Sequence, residues 1–250
     1  MNLLTVKHIT FGEGAPKICV PVIGRSREEI LAAAEEVRFL PCDVIEWRAD
    51  YYEEVRQASR VLDTLAALRT LLEGKLLLFT FRTAKEGGQT TLTPYDYLWL
   101  NQKAAESGLP DLIDMEFSSG QERVEIFIRF AHRNRCRVIV SSHDFEKTPA
   151  ADDMVSLMRA MQATKPDLIK LAVMPKTGRD VLALLDATDR IASSGSCPVI
   201  TVSMGKEGRI SRLAGGTFGS VMTFASHRDG SAPGQPDALD LSIALQILHQ

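Results

Sequence analysis

No apolar run in this 250-residue chain approaches the roughly 20 residues a membrane-spanning helix requires, so no membrane span is expected. Cysteine is sparse, and Cys19, Cys42, Cys136 and Cys197 lie far apart without a CxxC pair. That spacing suits reduced, buried thiols better than disulfides or a zinc site, and with them a cytoplasmic location. The opening, MNLLTVKHITFGEG, lacks a basic start, a long apolar stretch and a small-residue cleavage site, so no secretory signal is expected. Strong charge of one sign is missing too. With 29 basic and 32 acidic residues the formal charge is −3, which offers nothing general to attract nucleic acid. Any positive potential must be local to a pocket. A Gly-rich dinucleotide fingerprint or phosphate P-loop follows none of the β-rich runs.

What is present is an alternation. Eight short runs, nearly continuous in apolar character and rich in Val, Ile and Leu, span 17–23, 43–47, 75–81, 111–117, 137–141, 167–173, 198–203 and 219–224. Such runs suit parallel strands buried on both faces. Between them lie helix-like stretches with start signals: Ser26 ahead of a Glu pair, Thr93-Pro94, Gly120, Thr148-Pro149, Thr177-Gly178 and Pro236. About eight β-then-α units without a low-complexity linker predict a single-domain (β/α)8 TIM barrel over residues 1–250. A doubly wound open sheet is the alternative. Residues 3–10 are expected to form an N-terminal β-hairpin closing the barrel floor.

The polar residues that interrupt these runs gather at the strands' C-terminal ends, where barrels carry their active sites. Glu46 and Arg48 share parity at the end of the second run, and Arg82 ends the third with Glu86 behind it. Asp114 and Glu116 lie in the fourth, His143 follows the fifth, and Lys170 sits within the sixth as D-L-I-K-L-A-V. A lysine so enclosed by β-formers has its charged form disfavoured, and a neutral amine is what imine formation with a ketone needs. A lysine paired with a barrel carboxylate is the competing reading. His143 suits proton abstraction beside an imine carbon, or is simply a satisfied strand-end histidine. Arg48, Arg82 and Arg212 would make a cationic mouth for a carboxylate, although Arg212 also reads as a solvated loop charge. Gly215, Gly216 and Gly219 fit a phosphate cradle or a tight turn. Ser231 and Gln235, in a Gly/Pro-bearing loop, suit a lid or an ordinary surface loop.

Six segments together resemble the type I 3-dehydroquinate dehydratases. They are I-E-W-R-A-D around Glu46 and Arg48, L-F-T-F-R-T-A-K-E-G-G around Arg82 and Glu86, S-S-H-D-F-E-K-T-P around His143, I-K-L-A-V-M-P around Lys170, S-R-L-A-G-G-T-F-G-S-V-M-T-F, and S-A-P-G-Q. They follow the family's order and cover nearly the whole chain. The resemblance implies a TIM barrel, usually homodimeric, that dehydrates 3-dehydroquinate to 3-dehydroshikimate in the shikimate pathway with neither metal nor cofactor. It implies Lys170 as the Schiff-base lysine, His143 as general base and acid, and Glu86 as the residue that orients His143. Arg212 would hold the substrate carboxylate, Glu46, Arg48 and Arg82 would surround the ring, and Ser231 and Gln235 would come from the closing loop. Pro21 stands where some relatives carry a ligand-contacting serine, so that contact is not carried over. Three other functions remain as rivals: a class I aldolase-type barrel sharing Lys170, a Mg²⁺ barrel using Glu46, Asp114 and Glu116, and a non-catalytic carboxylate binder.

Overall fold

The computed structural model describes residues 2–228 and 231–249. Eight parallel strands form its centre: β3 (Lys17–Val22), β4 (Val44–Arg48), β5 (Leu76–Thr80), β6 (Leu112–Glu116), β7 (Arg137–Asp144), β8 (Leu168–Val173), β9 (Val199–Ser203) and β10 (Met222–Phe224). Each pairs with the next in sequence, and β10 pairs back onto β3. Beyond that ladder, Val221 N donates to Val199 O at 2.9 Å beside a Val199–Ser220 bridge, which closes β9 against β10. The helices α1 (Arg27–Val37), α2 (Ala58–Leu71), α3 (Pro94–Glu106), α4 (Gln121–Arg133), α5 (Ala151–Ala163), α6 (Gly178–Ser194), α7 (Arg209–Ala214) and α8 (Ala238–Leu248) alternate with the strands. This is a single-domain (β/α)8 barrel, with every strand run within a few residues of its sequence-derived bounds.

Side-chain alternation along the strands produces two apolar layers. Ile45, Trp47, Leu77, Phe79, Ile113, Met115, Val138, Val140, Ile169 and Leu171 face outward into a core shared with the helices. Cys19, Val44, Leu76, Leu78, Leu112, Ile139, Leu168, Ile200 and Met222 face inward and fill the lower barrel. An antiparallel hairpin of β1 (Leu4–Val6) and β2 (Ile9–Phe11) packs Val6 and Phe11 onto this inner cluster. Lys7, at its turn, pairs with Asp111 just ahead of β6, so the hairpin sits at the strands' N-terminal end, as expected of a floor. Phe11 has no exposed surface.

The helix starts follow local chemistry. Ser26 caps α1 by accepting from Glu29 N at 3.2 Å, Thr93 caps α3 ahead of Pro94, and Thr177 and Asp180 form a capping box on α6. Two helices carried no start signal: α2 opens after Gln57 without a side-chain cap, and α7 is only six residues long. The final helix begins at Ala238 with Asp237 as its cap, two residues beyond Pro236. Gly215, Gly216 and Gly219 form a tight turn. A Cβ on Gly216 would meet Pro16 and His249 within 3 Å, and Gly219 has φ +96°. Pro16 immediately precedes β3, so the turn lies at the floor, opposite the polar mouth, and the phosphate-cradle alternative falls. Pro21 is accommodated because β10 pairs with β3 only as far as Cys19, leaving no ladder bond to lose on that side.

Candidate active site

Above the apolar lower barrel the inward positions change character. Counting up the strands, the inner face carries Glu46 and Arg48 on β4, Thr80 and then Arg82 at the end of β5, and Asp114 and Glu116 on β6. Ser141 and His143 follow on β7 and Lys170 on β8. The other side of the mouth is apolar: Ala172, Val202, Met204 and Phe224 belong to the inner cluster. Between the two sides lies a cavity of about 460 Å³, counted to its open mouth; nine of the eleven polar residues singled out from the sequence line it, while Asp114 and Glu116 do not and instead meet Arg82. Charge on one wall and apolar surface on the other is an arrangement for a small ligand with one polar and one apolar side.

Lys170 is 6% exposed, with Nζ 4.1 Å from the Phe224 ring centroid and 3.9 Å from Asp114 Oδ2. Burial holds its amine below the usual lysine range. Glu46 and Asp114 oppose that shift, and Arg82 adds to it. The carboxylate-paired alternative therefore finds only a loose neighbour at 3.9 Å, with no hydrogen bond.

His143 lies inside β7, which runs three residues further than its apolar run suggested. Its register neighbour on β8 is Ala172, while Lys170 pairs with Ser141, so His143 and Lys170 share the inner face one step apart. The Nδ1 atom meets Glu86 Oε2 at 2.9 Å, and the His143 backbone N–H donates to the same oxygen at 3.1 Å. With Nδ1 so engaged, Nε2 is the ring nitrogen left for chemistry. Burial, then Arg82, Lys170 and Arg48, push the imidazole well below its normal range, so it is neutral near pH 7. The Glu86 carboxyl is pushed up to about 7, first by burial and then by Glu116, with Arg82 and a 2.6 Å bond from Ser118 Oγ opposing.

Arg82 is enclosed by carboxylates. It lies 2.8 Å from Asp114 Oδ2, 3.1 Å from Glu116 Oε1 and 3.8 Å from Glu86 Oε2, and donates to Ser141 Oγ at 3.0 Å. A guanidinium between Asp114 and Glu116 occupies the space a Mg²⁺ held by those two and Glu46 would need. Among the described residues, no group of three His, Cys, Asp or Glu is placed to hold a metal. Glu46 accepts from Thr80 Oγ1 at 2.9 Å.

Arg48 lies flat against Asp50 and reaches the Ser231 carbonyl at 3.3 Å. Arg212 is 2% exposed, not a solvated loop charge: it donates to Pro233 O at 3.1 Å and Phe224 O at 3.4 Å, and among the described residues its buried Nε has no partner. Burial alone brings it down to about 10. The loop carrying Ser231 and Gln235 thus folds over both arginines, and Gln235 Nε2 donates to Ser231 Oγ at 3.4 Å. Asp50, Ser118 and Phe224 are site residues that the sequence reading did not single out. Asp50 lies just past a strand and Ser118 in a turn, where alternation no longer predicts direction, and Phe224 passed for ordinary core.

A family model for type I 3-dehydroquinase matches residues 18–250. A 3-dehydroquinate dehydratase of Listeria monocytogenes serotype 4a is 45% identical over 250 residues, covering 100% of this chain and 99% of the relative. One from Salmonella agona is 45% identical over 251 residues, covering 100% of both chains. The solved type I 3-dehydroquinate dehydratase of Clostridium difficile superposes with a TM-score of 0.96 at 42% identity, covering 99% of this chain and 98% of that one. With the family model, the full-length relatives and the fold in agreement, the chain belongs to the type I 3-dehydroquinase family.

Proposed function

We propose that the protein is a hydro-lyase that removes water from 3-dehydroquinate to give 3-dehydroshikimate, through an imine on Lys170. This is a shikimate-pathway step leading toward chorismate and the aromatic amino acids. The observation that carries the proposal is a buried amine of lowered proton affinity beside a neutral His143 oriented by Glu86, in a cavity with an arginine that meets no carboxylate among the described residues.

Neutral Lys170 Nζ adds to the C3 ketone, and the carbinolamine loses water to form the imine. The cationic nitrogen acidifies the C2 proton, which passes to His143 Nε2, and the electron pair left behind makes an enamine. Glu86, bonded at Nδ1, stabilises the imidazolium that results. The enamine expels the C1 hydroxyl, His143 returns its proton so that water departs, and hydrolysis of the remaining imine frees product and Lys170. Arg212 holds the substrate carboxylate. Glu46, Arg48 and Arg82 surround the ring and its hydroxyls, and Ser231 and Gln235 close over it. No metal or cofactor enters these steps.

Borohydride added with 3-dehydroquinate tests the scheme. A covalent adduct should map to the peptide containing Lys170, Lys170→Ala should abolish it, and His143→Ala should retain it while turnover stops. An adduct on another lysine refutes the assignment.

Two further features go with this function. A homodimer is supported by the stripe Leu239, Ile243 and Ile247 on α8, each more than half exposed at helical spacing; a monomer in sedimentation at micromolar concentration would refute it. A cytoplasmic location is supported by four free, buried cysteines and is checked by cell fractionation.

A further inference from the structure

The three arginines of the mouth differ in electrostatic condition. Arg82 is matched by Asp114 and Glu116. Arg48 is matched edge-on by Asp50, with Nε 2.7 Å from Oδ1 and Nη2 2.9 Å from Oδ2, both residues buried. Among the described residues Arg212 meets only two backbone carbonyls and no carboxylate. Asp50 is itself fixed in place. Oδ1 also accepts the Arg82 N–H at 3.3 Å, Oδ2 the Gln89 N–H at 3.0 Å, and the Asp50 carbonyl the Thr90 hydroxyl at 2.8 Å. These bonds come from the loop after β5, the same loop that carries Glu86, so Asp50 cannot turn away from Arg48 without disturbing that loop.

We infer that Asp50 determines the specificity of the mouth: by engaging the Nε–Nη2 edge of Arg48 it leaves that arginine able to serve only neutral hydroxyls, and makes Arg212 the sole receptor for a carboxylate. The physical reason is a charge count. A guanidinium binds one carboxylate bidentately, and a second on Nη1, which also donates to Ser231 O at 3.3 Å, would put two negative charges on one positive in a dry cavity. A hydroxyl accepts a bond from Nη1 with no such repulsion. The result is a cavity for one carboxylate at one end and several hydroxyls at the other, which rejects dicarboxylates of similar size. The inference rests on the proposed substrate, a ring acid with one carboxylate.

Calorimetric titration of the full-length protein with glutarate and with cyclohexanecarboxylate tests it. Asp50→Asn keeps the shape and removes the charge, which frees Arg48 for a second carboxylate. Glutarate binding should then tighten about tenfold relative to cyclohexanecarboxylate. An unchanged ratio in a folded Asp50→Asn protein overturns the inference, and a purely structural Asp50 would weaken both ligands alike. Arg212→Gln gives a second decision if Asp50→Asn does not fold. Cyclohexanecarboxylate should weaken by at least about thirtyfold, because Arg48 cannot substitute; retention within about threefold overturns the inference. Neither titration depends on turnover. Failure of the wild-type protein to dehydrate 3-dehydroquinate would overturn the proposed function and leave the Asp50 result standing or falling on its own.

Discussion

Glu86→Gln should make the protein more stable and a poorer catalyst at once, with both effects switching on over the same pH range. Glu86 is 5% exposed, and its carboxyl rises from the ordinary 4.5 to about 7, chiefly through burial. A raised carboxyl takes up a proton on folding. Below about pH 4.5 both states are protonated and the group contributes nothing; above about pH 7 the folded protein bears the full cost of a buried charge. At about 1.4 kcal/mol per unit, that cost is on the order of 3 kcal/mol. Glutamine keeps the acceptor for His143 and removes the ionisation. The variant should therefore melt higher than wild type by roughly 6 to 10 °C at pH 8.5, and by little at pH 4.5. Turnover should move the other way. Without the carboxylate, the imidazolium formed on proton abstraction loses a charge-assisted bond, so kcat at pH 8 should fall about 10- to 100-fold, and the wild-type loss of activity below about pH 7 should vanish from the profile. Melting curves by circular dichroism across pH, alongside kcat–pH profiles, supply the measurement. A melting difference that stays constant from pH 4.5 to 8.5 would refute the reasoning.

Arg82→Met strands Asp114 and Glu116, at 0% and 1% exposure, and should cost about 3–5 kcal/mol; because, against burial, Arg82 is what holds the Asp114 carboxyl below the usual range, the loss should be smaller at pH 5 than at pH 8; denaturant titrations at the two pH values check the sign. Gly234→Ala puts a Cβ 2.1 Å from Gly205 O at a backbone φ of +80°, so the closing loop should seat poorly. A raised KM and lowered kcat with an unchanged melting temperature is the expected pattern. Phe11→Ala should cost about 3–5 kcal/mol while leaving kcat and KM within twofold, since the hairpin plugs the end of the barrel away from the chemistry; a large kcat loss in the folded variant would contradict that placement.

The barrel could be read from the sequence because its strands are buried on both faces, and apolar runs of that length have few other uses. Polar residues at their ends then pointed to one mouth, and Glu46, Arg48, Arg82, Glu86, His143, Lys170, Arg212, Ser231 and Gln235 all line one cavity. Directions held where strand geometry governed them. They failed once the chain left the strand: Asp50 lies two residues beyond Arg48, yet a short turn brings it back beneath that side chain. His143 read as lying just past the fifth run because a polar stretch, S-S-H-D, hid the last three residues of β7. The helix α2 lacked a capping side chain to announce it, and α7 was too short to show a period. The glycine trio carried a signal of flexibility but none of location, and only the packing of Gly216 against Pro16 put it at the opposite end from the cavity.

The division of each strand into an outward and an inward set has a consequence for how such a chain can change over time. Trp47 and Glu46 are neighbours in sequence, yet one anchors the helix layer and the other lines the cavity. Substitutions that retune the outer packing need not pass through the reaction centre, and new specificities can be tried at the mouth without rebuilding the scaffold. Lys170 and Leu171 illustrate the same independence four strands further round the barrel: the amine can be exchanged for another reactive group while its neighbour goes on holding the strand to its helices.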